Sequence, residues 1–151
     1  MIKIICLGSI KEKYLVEAIN EYTKRLSKYT KLEIIELKDE KDDIPKQALL
    51  KEKQKILNAI TEKDNLVLLD IQGKEYTSET FSEFVSKELT YNSNITFVIG
   101  SSNGIDDDLK KMIKKRISFS KLTFPHQIFR LILLEQIYRS FKIINNETYH
   151  K

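Results

Sequence analysis

The stretch FSKLTFPHQIFRLILLEQIYRSFKIINNETY, residues 119–149, decides the fold of this chain. It is predicted to start as a short extended segment, to bend at Pro125–His126 and to continue as the most apolar helix in the sequence. Apolar residues cover most of the circumference of this helix, so it must be buried on more than one face. In a chain of only 151 residues, we expect a second copy of the protein to cover one of those faces.

Polar side chains are interspersed among the apolar ones of the same helix. They are His126, Gln127, Arg130, Glu135, Gln136 and Arg139. Polar groups inside a buried helix are costly unless they are paired. We therefore expect these side chains either to hold the structure together or to form a site.

Upstream of this helix, short apolar runs alternate with amphipathic segments. The predicted strands are Ile2–Leu7, Leu32–Leu37, Asn65–Asp70, Ile95–Ile99 and Arg116–Ser120. Helices are predicted between Lys11 and Tyr29, from about Pro45 to Ile60, after a cap at Thr77 or Ser78, and after Asp106–Asp108. The pattern predicts an α/β fold, a parallel sheet with helices on both faces, in one domain spanning residues 1–151. On this pattern alone we would expect an unknotted, flavodoxin-like sheet, because true knots are very rare.

Composition restricts the class of protein. With 41% hydrophobic and 32% charged residues, the chain is an ordinary globular one and not disordered. Its single cysteine, Cys6, excludes an intrachain disulfide and is expected to pack in an apolar strand, in a reducing compartment. We find no signal peptide and no run of roughly 18 apolar residues, so we expect a soluble cytoplasmic protein that is not in a membrane.

A cluster of basic residues precedes the last helix. It comprises Lys110, Lys111, Lys114, Lys115, Arg116 and Lys121. Such a cluster fits a polyanionic partner, with nucleic acid first and an acidic protein surface second. A solvated helix face is the alternative interpretation.

Three loops are candidates for a ligand site, since ligands of open α/β sheets bind beyond the carboxyl ends of the strands. They are Leu69–Lys74, Gly100–Gly104 and Phe119–Phe124. The GSSNG loop has a glycine at each end, so its backbone can approach a ligand closely. The sequence contains neither GxGxxG nor GxxxxGK[ST], and no Cys/His spacing typical of zinc, so we expect no dinucleotide, P-loop or metal site.

A phospho-acceptor receiver domain is one non-enzymatic alternative. It would also place an aspartate, here Asp70, after the third strand and a lysine, here Lys121, after the fifth. Such a domain needs an acidic pair after the first strand to hold magnesium, where this chain has Gly8-Ser9. The sequence disfavours this interpretation.

Four blocks of the sequence together resemble the RlmH family. They are LDIQGK (69–74), IGSSNG (99–104), SFSKLTFPHQIFRLILLEQIYRSFKI (118–143) and the terminal YHK (149–151). Members of that family are small SPOUT-class methyltransferases that methylate N3 of a pseudouridine in 23S ribosomal RNA with S-adenosylmethionine. The resemblance, which covers essentially the whole chain, implies a homodimer with a C-terminal trefoil knot that acts on 23S ribosomal RNA or the assembled ribosome.

The resemblance also implies where the cofactor binds. The expected contacts are Leu69, Gly100, Phe119, Ser120, Lys121, Leu122, Thr123 and Phe124, all in the knotted loops. One residue departs from the family pattern: Ser101 stands where the family loop usually has a second glycine. We expect its side chain to lie beside the cofactor loop and to affect cofactor affinity.

The protein must remove a proton from the acceptor nitrogen or stabilise its anion, because N3 of a uracil ring is protonated at neutral pH. The candidate groups are Arg130, Arg139, His126, His150, Tyr149 and Lys151. Guanidinium groups can stabilise the anion electrostatically, and His150 is the candidate base. We expect the polar tail Tyr149–Lys151 to be exposed and to complete the site across the dimer interface. For His126 a structural role is expected, and Arg139 has the alternative of pairing with Glu135.

Two other functions remain open on the sequence. One is a non-catalytic protein of the same fold that binds RNA or the ribosome. The other is a SPOUT methyltransferase that acts on transfer RNA.

Overall fold

The computed structural model describes residues 1–151 and alternates strands with helices from end to end. The strands are β1 (Ile2–Leu7), β2 (Leu32–Leu37), β3 (Leu66–Glu75), β4 (Ile95–Ile99) and β5 (Arg116–Ser118). The helices are α1 (Lys13–Leu26), α2 (Pro45–Ala59), α3 (Ser78–Asn92), α4 (Asp107–Met112) and α5 (His126–Ile144). All neighbouring strands are parallel, in the order β2-β1-β4-β3-β5.

Successive residues of the central strands face two separate cores, as the period of a strand requires. Ile4 and Phe97 point to one core, where α1, α3 and α5 pack on the sheet. Ile5 and Val98 point to the other, which α2 and α4 cover. This confirms the predicted parallel sheet with helices on both faces.

Helix α5 packs between α1 and α3, so the chain itself covers two of its sides. Its buried residues are Arg130, Leu133, Leu134, Ile137, Tyr138, Ser140 and Phe141. The apolar residues Ile128, Leu131 and Ile132, spaced to share one helical stripe, stay partly exposed. No helix, α5 included, combines the length and hydrophobicity that a bilayer span requires.

Strand β3 is longer than predicted, and the expected loop after Asp70 belongs to it. Ile117 of β5 pairs with Leu69 before a break in register and with Lys74 after it. A Cβ on Gly73 would lie 2.6 Å from backbone atoms of both Arg116 and Ile117. The residues between the two pairings therefore cross directly over the backbone of β5, which only a glycine permits at the crossing point.

Strand β5 is shorter than predicted. It ends at Ser118 and not at Ser120, because Ser118 Oγ donates to the Ser120 carbonyl at 3.0 Å and turns the chain there. The next turn is closed by Leu122 N, which donates to Ser120 Oγ at 2.9 Å. The segment between β5 and α5 is thus a compact loop.

Several local predictions are confirmed. Thr77 caps α3 in a reciprocal hydrogen-bonded pair with Thr80, and Asp106 caps α4. Pro45 is the first residue of α2. Cys6 is 1% exposed in β1, and burial raises the pKa of its thiol to about 11, so it is an unreactive core residue.

Candidate active site

A cavity of about 240 Å³ lies at the carboxyl ends of β4, β3 and β5. These strands are adjacent in the sheet, so the loops after β4 and β5 meet there beside Leu69, Asp70 and Ile71 of β3. All the residues predicted to contact a cofactor line this cavity except Lys121: they are Leu69, Gly100, Phe119, Ser120, Leu122, Thr123 and Phe124. Lys121 is exposed in the same loop but is not part of the wall.

One wall of the cavity is aromatic. The Phe119 and Phe129 rings lie 5.4 Å apart between centroids, and Phe124 stacks on Phe129 at 6.3 Å with an interplanar angle of 21°. The rim carries two exposed apolar side chains, Ile71 (51% exposed) and Leu122 (73% exposed). Flat aromatic faces with an apolar rim suit a planar heterocycle.

The opposite wall is the tight loop between β4 and α4. Its shape depends on Gly100, where a Cβ would lie 2.6 Å from the carbonyl oxygen of Gly104. Gly104 adopts a φ of +86°, and its amide donates to the Ser101 carbonyl at 3.0 Å. Gly100, Ser101 and Gly104 of this tight loop line the cavity.

Ser101 is held by a residue that the sequence analysis did not identify. Its hydroxyl donates to Glu52 Oε2 at 2.8 Å, and the other carboxylate oxygen of Glu52 accepts from Glu40 N at 2.9 Å. Glu52 is 1% exposed. Its position could have been found, because Ala48, Glu52 and Ile56 follow one another at the spacing of a buried helical stripe.

Asp70 is the one carboxylate in the cavity wall. Its side chain is buried; one oxygen accepts from Gln72 N at 3.2 Å, and the other lies 3.5 Å from Nη1 of Arg116. The charge of this aspartate is therefore opposed by a guanidinium. That second oxygen forms no hydrogen bond, so the ion pair with Arg116 is its one compensating contact.

His126 packs against the end of β1, as its expected structural role requires, and it also lines the cavity. Its ring lies on Gly8, where a Cβ would come within 2.9 Å of His126 Nε2. The same histidine lines the cavity. The first turn of α5 is thereby fixed against the end of β1.

Three of the predicted catalytic residues form a separate cluster. Arg139 forms a salt bridge with Glu135 at 2.7 Å, which is the pairing that the sequence offered as an alternative to a catalytic role. Its Nη1 also lies 3.2 Å from His150 Nδ1. Tyr149 Oη donates to Glu135 at 3.2 Å, and its ring packs edge-on against Tyr138 at 5.1 Å. The tail was expected to be exposed, but Tyr149 and His150 are half-buried, because Glu135 of α5 and Glu79 of α3 bind them. Lys151 is exposed, as expected.

The contacts of His150 determine where its proton lies. A guanidinium can only donate, so Nδ1 of His150 accepts from Arg139 and the proton is on Nε2. Nε2 donates to Glu79 at 2.8 Å, and this hydrogen bond lowers the pKa of Glu79 to about 2. Burial raises the pKa of Tyr149 to about 12. In this arrangement both ring nitrogens of His150 form contacts, and the phenol of Tyr149 is neutral.

The remaining predicted catalytic residue, Arg130, is neither in that cluster nor in the cavity wall. It is 1% exposed, and its guanidinium donates to Glu36 at 2.6 Å and to the Gly8 carbonyl at 2.9 Å. These contacts join α5 to the ends of β1 and β2. We interpret Arg130 as a structural residue, in place of the catalytic role expected from the sequence.

The tail cluster is remote from the cavity within one chain. Arg139 lies about 15 Å along the axis of α5 from Phe129, at a rise of about 1.5 Å per residue. Phe129 lines the cavity, whereas Arg139, Tyr149 and His150 do not.

Ion pairs divide the basic cluster. Lys115 pairs with Glu88 at 2.6 Å, and Arg116 lies beside Asp70. The other members form no salt bridge and keep their charge free at the surface: they are Lys110, Lys111, Lys114 and Lys121. Lys110 also lines the cavity. Of the four free lysines, Lys110 is therefore at the cavity and Lys121 lies in the loop that walls it, whereas Lys114 lies before the amino end of β5.

Known proteins resemble this chain over its whole length. Residues 1–150 match the sequence profile of a family described as "Predicted SPOUT methyltransferase". The ribosomal RNA large subunit methyltransferase H of Caldicellulosiruptor saccharolyticus is 49% identical, over 100% of both chains. Proteins of the same name from Clostridium perfringens and Clostridium acetobutylicum are 49% and 48% identical, each over 99% of both chains.

Proposed function

The chain belongs to the SPOUT methyltransferase family, and we propose that it transfers a methyl group from S-adenosylmethionine to N3 of a pseudouridine in 23S ribosomal RNA. The relatives' names support methyl transfer to large-subunit RNA. The four sequence blocks that resemble the RlmH family support the finer choice of pseudouridine N3. One observation carries the proposal: the loops that contain the cofactor blocks converge on a single cavity.

The cavity fits this cofactor in shape and in charge. We propose that Leu69, Gly100 and the loop Phe119–Phe124 hold it, with its adenine against the aromatic wall. When bound, S-adenosylmethionine supplies an electrophilic methyl group on a sulfonium. That positive charge disappears in the transition state, so a free carboxylate beside it would favour the ground state and slow transfer. Arg116 reduces this penalty for Asp70, because its guanidinium opposes the charge of the carboxylate.

The chain's own residues must then orient the acceptor and take its proton. In the transfer, the bond between N3 and the methyl carbon forms as the carbon–sulfur bond breaks, and the N3 proton leaves to a base. We propose that the Arg139 guanidinium stabilises the developing N3 anion and that Tyr149 and His150 contact the nucleotide. His150 can take a proton on Nδ1 only after its contact with Arg139 opens.

We propose a homodimer, because the tail cluster and the cavity lie far apart in one protomer. The partly exposed stripe Ile128, Leu131 and Ile132 gives α5 an apolar face for a second copy. Pairing of α5 helices in this way would bring the tail of one protomer to the cavity of its partner. Light scattering of the purified protein tests the dimer, and replacement of Leu131 by Asp should shift it to monomer.

We also propose that the C-terminal segment forms a trefoil knot. The crossing of the residues around Gly73 over β5 supports it, as does the double pairing of Ile117. In the proposed knot, this part of β3 would enclose the chain that continues into α5.

For the RNA we propose the four lysines that form no salt bridge, Lys110, Lys111, Lys114 and Lys121, as the contact surface. Electrostatic contacts of this kind position RNA through its phosphates. Because the substrate would be ribosomal RNA, we propose that the protein acts in the cytoplasm.

One experiment tests the proposed function directly. Ribosomes from a strain that lacks this enzyme are incubated with the protein and labelled S-adenosylmethionine, and the modified nucleoside is mapped by mass spectrometry. We expect one added methyl group on a pseudouridine of 23S RNA. Methylation of transfer RNA in place of ribosomes would contradict the substrate, and RNA binding without a heat of cofactor binding would contradict enzymatic activity.

A further inference from the structure

The hydrogen bond between Ser101 and Glu52 joins the cofactor loop to α2. We propose that Ser101 and Glu52 are a positioning pair that holds the loop Gly100–Gly104 in its cofactor-binding shape. The inference rests on the proposed function, because it assumes that the cavity beside Ser101 binds S-adenosylmethionine. It assigns a role to the residue that departs from the family pattern and to a buried carboxylate that the mechanism does not use.

Glu52 is in an unusual position for a carboxylate. It is 1% exposed on the core side of α2, and it forms no salt bridge. A buried carboxylate is stable only if hydrogen bonds compensate its lost hydration. Its two partners are Glu40 N at 2.9 Å and Ser101 Oγ at 2.8 Å, which belong to different loops. Glu52 therefore fixes the loop after β2 and the loop after β4 relative to one another.

The next residue of α2 secures the other end of the same segment. Lys53 Nζ lies 3.1 Å from Asp106 and 3.1 Å from Asp108, at the start of α4. Asp106 is also the N-cap of α4. Two consecutive side chains of α2 thus hold the cofactor loop at both of its ends.

This arrangement explains how a serine is accommodated beside the cavity. The hydroxyl of Ser101 donates to Glu52 of α2. The same hydroxyl accepts a weak hydrogen bond from Asn103 N of its own loop at 3.2 Å. Without the hydroxyl, Glu52 would keep one buried oxygen unpartnered, and the loop would have to move to satisfy it. The loop would then populate its binding shape for only part of the time, and the apparent cofactor affinity would fall by that fraction.

The test measures the binding of S-adenosylhomocysteine by calorimetry in the full-length protein. We expect Ser101→Ala to weaken binding about tenfold, the loss typical of a hydrogen bond to a charged group. Ser101→Thr, which keeps the hydroxyl, should bind like the wild type. Ser102→Ala is the matched control, because Ser102 is exposed in the same loop, does not line the cavity and forms no side-chain hydrogen bond.

Two further measurements distinguish an effect of Ser101 on the shape of the loop from an effect on the stability of the whole protein. With Ser101→Ala we expect the KM for S-adenosylmethionine to rise while kcat at saturating cofactor stays near the wild-type value. Hydrogen exchange of the amides of residues 101–104 should be faster in the free variant, with other regions unchanged. In a double-mutant cycle with Glu52→Leu, which leaves no acceptor at this position, the effects of the two substitutions on cofactor affinity should not add, because each removes the same hydrogen bond.

The outcomes are distinct. Equal affinity and equal exchange in Ser101→Ala and the wild type would overturn the positioning pair. Additive effects of the two substitutions would overturn it as well. If the wild-type protein itself gave no heat with the cofactor product, the proposed function would fail and the pair would lose its purpose, whatever the exchange data showed.

Discussion

Replacement of Gly100 by Ala is the sharpest single test of the cavity. An ideal Cβ at this position would lie 2.6 Å from the Gly104 carbonyl oxygen and 2.8 Å from the nearest side-chain carbon of Ile105. Ordinary contacts of this kind are near 3.5–4.0 Å. The carbonyl belongs to the backbone of the loop, so the loop itself must shift to admit the methyl group.

The magnitude follows from that forced movement. Adding one methyl group to a tightly packed site costs about 1–3 kcal/mol. If the cost falls on the conformation that binds the cofactor, affinity for S-adenosylhomocysteine should drop about 5- to 150-fold. Calorimetry measures the dissociation constant, and circular dichroism verifies that the variant is folded.

Gly104→Ala is the informative comparison. A Cβ there meets no atom within 4 Å, but the φ of +86° is unfavourable for alanine by about 1 kcal/mol. This variant should therefore lose stability without a steric clash in the cavity. If Gly100→Ala bound the cofactor product as tightly as the wild type, the loop could not be the cofactor wall and the reasoning would be refuted.

Further variants probe the tail, the sheet and the lysine surface. Deletion of Tyr149–Lys151 should abolish methylation and leave the calorimetric affinity for cofactor unchanged; an active truncation would contradict the role of the tail. Burial alone would raise the pKa of Asp64, but hydrogen bonds from Lys3, Thr96 and Thr61 outweigh that effect and lower the pKa to about 2. The ionised Asp64 should therefore contribute about 2 kcal/mol to the stability of the folded protein. That contribution is complete above pH 4 and is lost as the pH falls through about 2. In Asp64→Asn, denaturant unfolding should show a lower free energy of unfolding at neutral pH, and this free energy should fall less steeply as the pH is lowered. Charge reversal of Lys114 and Lys121 should weaken RNA binding and flatten its salt dependence in filter-binding titrations, and an unchanged salt slope would exclude these lysines from the RNA contact.

The order of the elements could be predicted from the sequence because hydrophobic periodicity reports it directly. The fully buried β4 and the capped starts of α3 and α4 were predictable on these grounds. The end of β3 was not. Gln72, Gly73 and Lys74 have little strand propensity, and the pairing of Lys74 with β5 depends on a chain crossing that no local pattern encodes.

The candidate site was predictable in part for a similar reason. The three loops follow strands that the alternation places in one parallel sheet, so their meeting at one cavity follows from topology. The engagement of Arg130 by Glu36 and of Ser101 by Glu52 joins residues far apart in sequence. Nothing in local spacing distinguishes a guanidinium that stabilises a substrate anion from one that ties two strands to a helix.

Mixed dimers provide the decisive test of how the two halves of the site combine. The Gly100→Ala protomer keeps its tail but binds the cofactor too weakly to work at a low cofactor concentration, whereas the protomer truncated before Tyr149 keeps its cavity but lacks a tail. If the tail of one protomer serves the cavity of its partner, each mixed dimer contains one complete site, and random exchange should restore about a quarter of wild-type activity. If each tail serves its own cavity, every site in the mixture is defective and activity stays at the level of the separate variants. Because Arg139 lies about 15 Å along α5 from the cavity wall, we expect the first result.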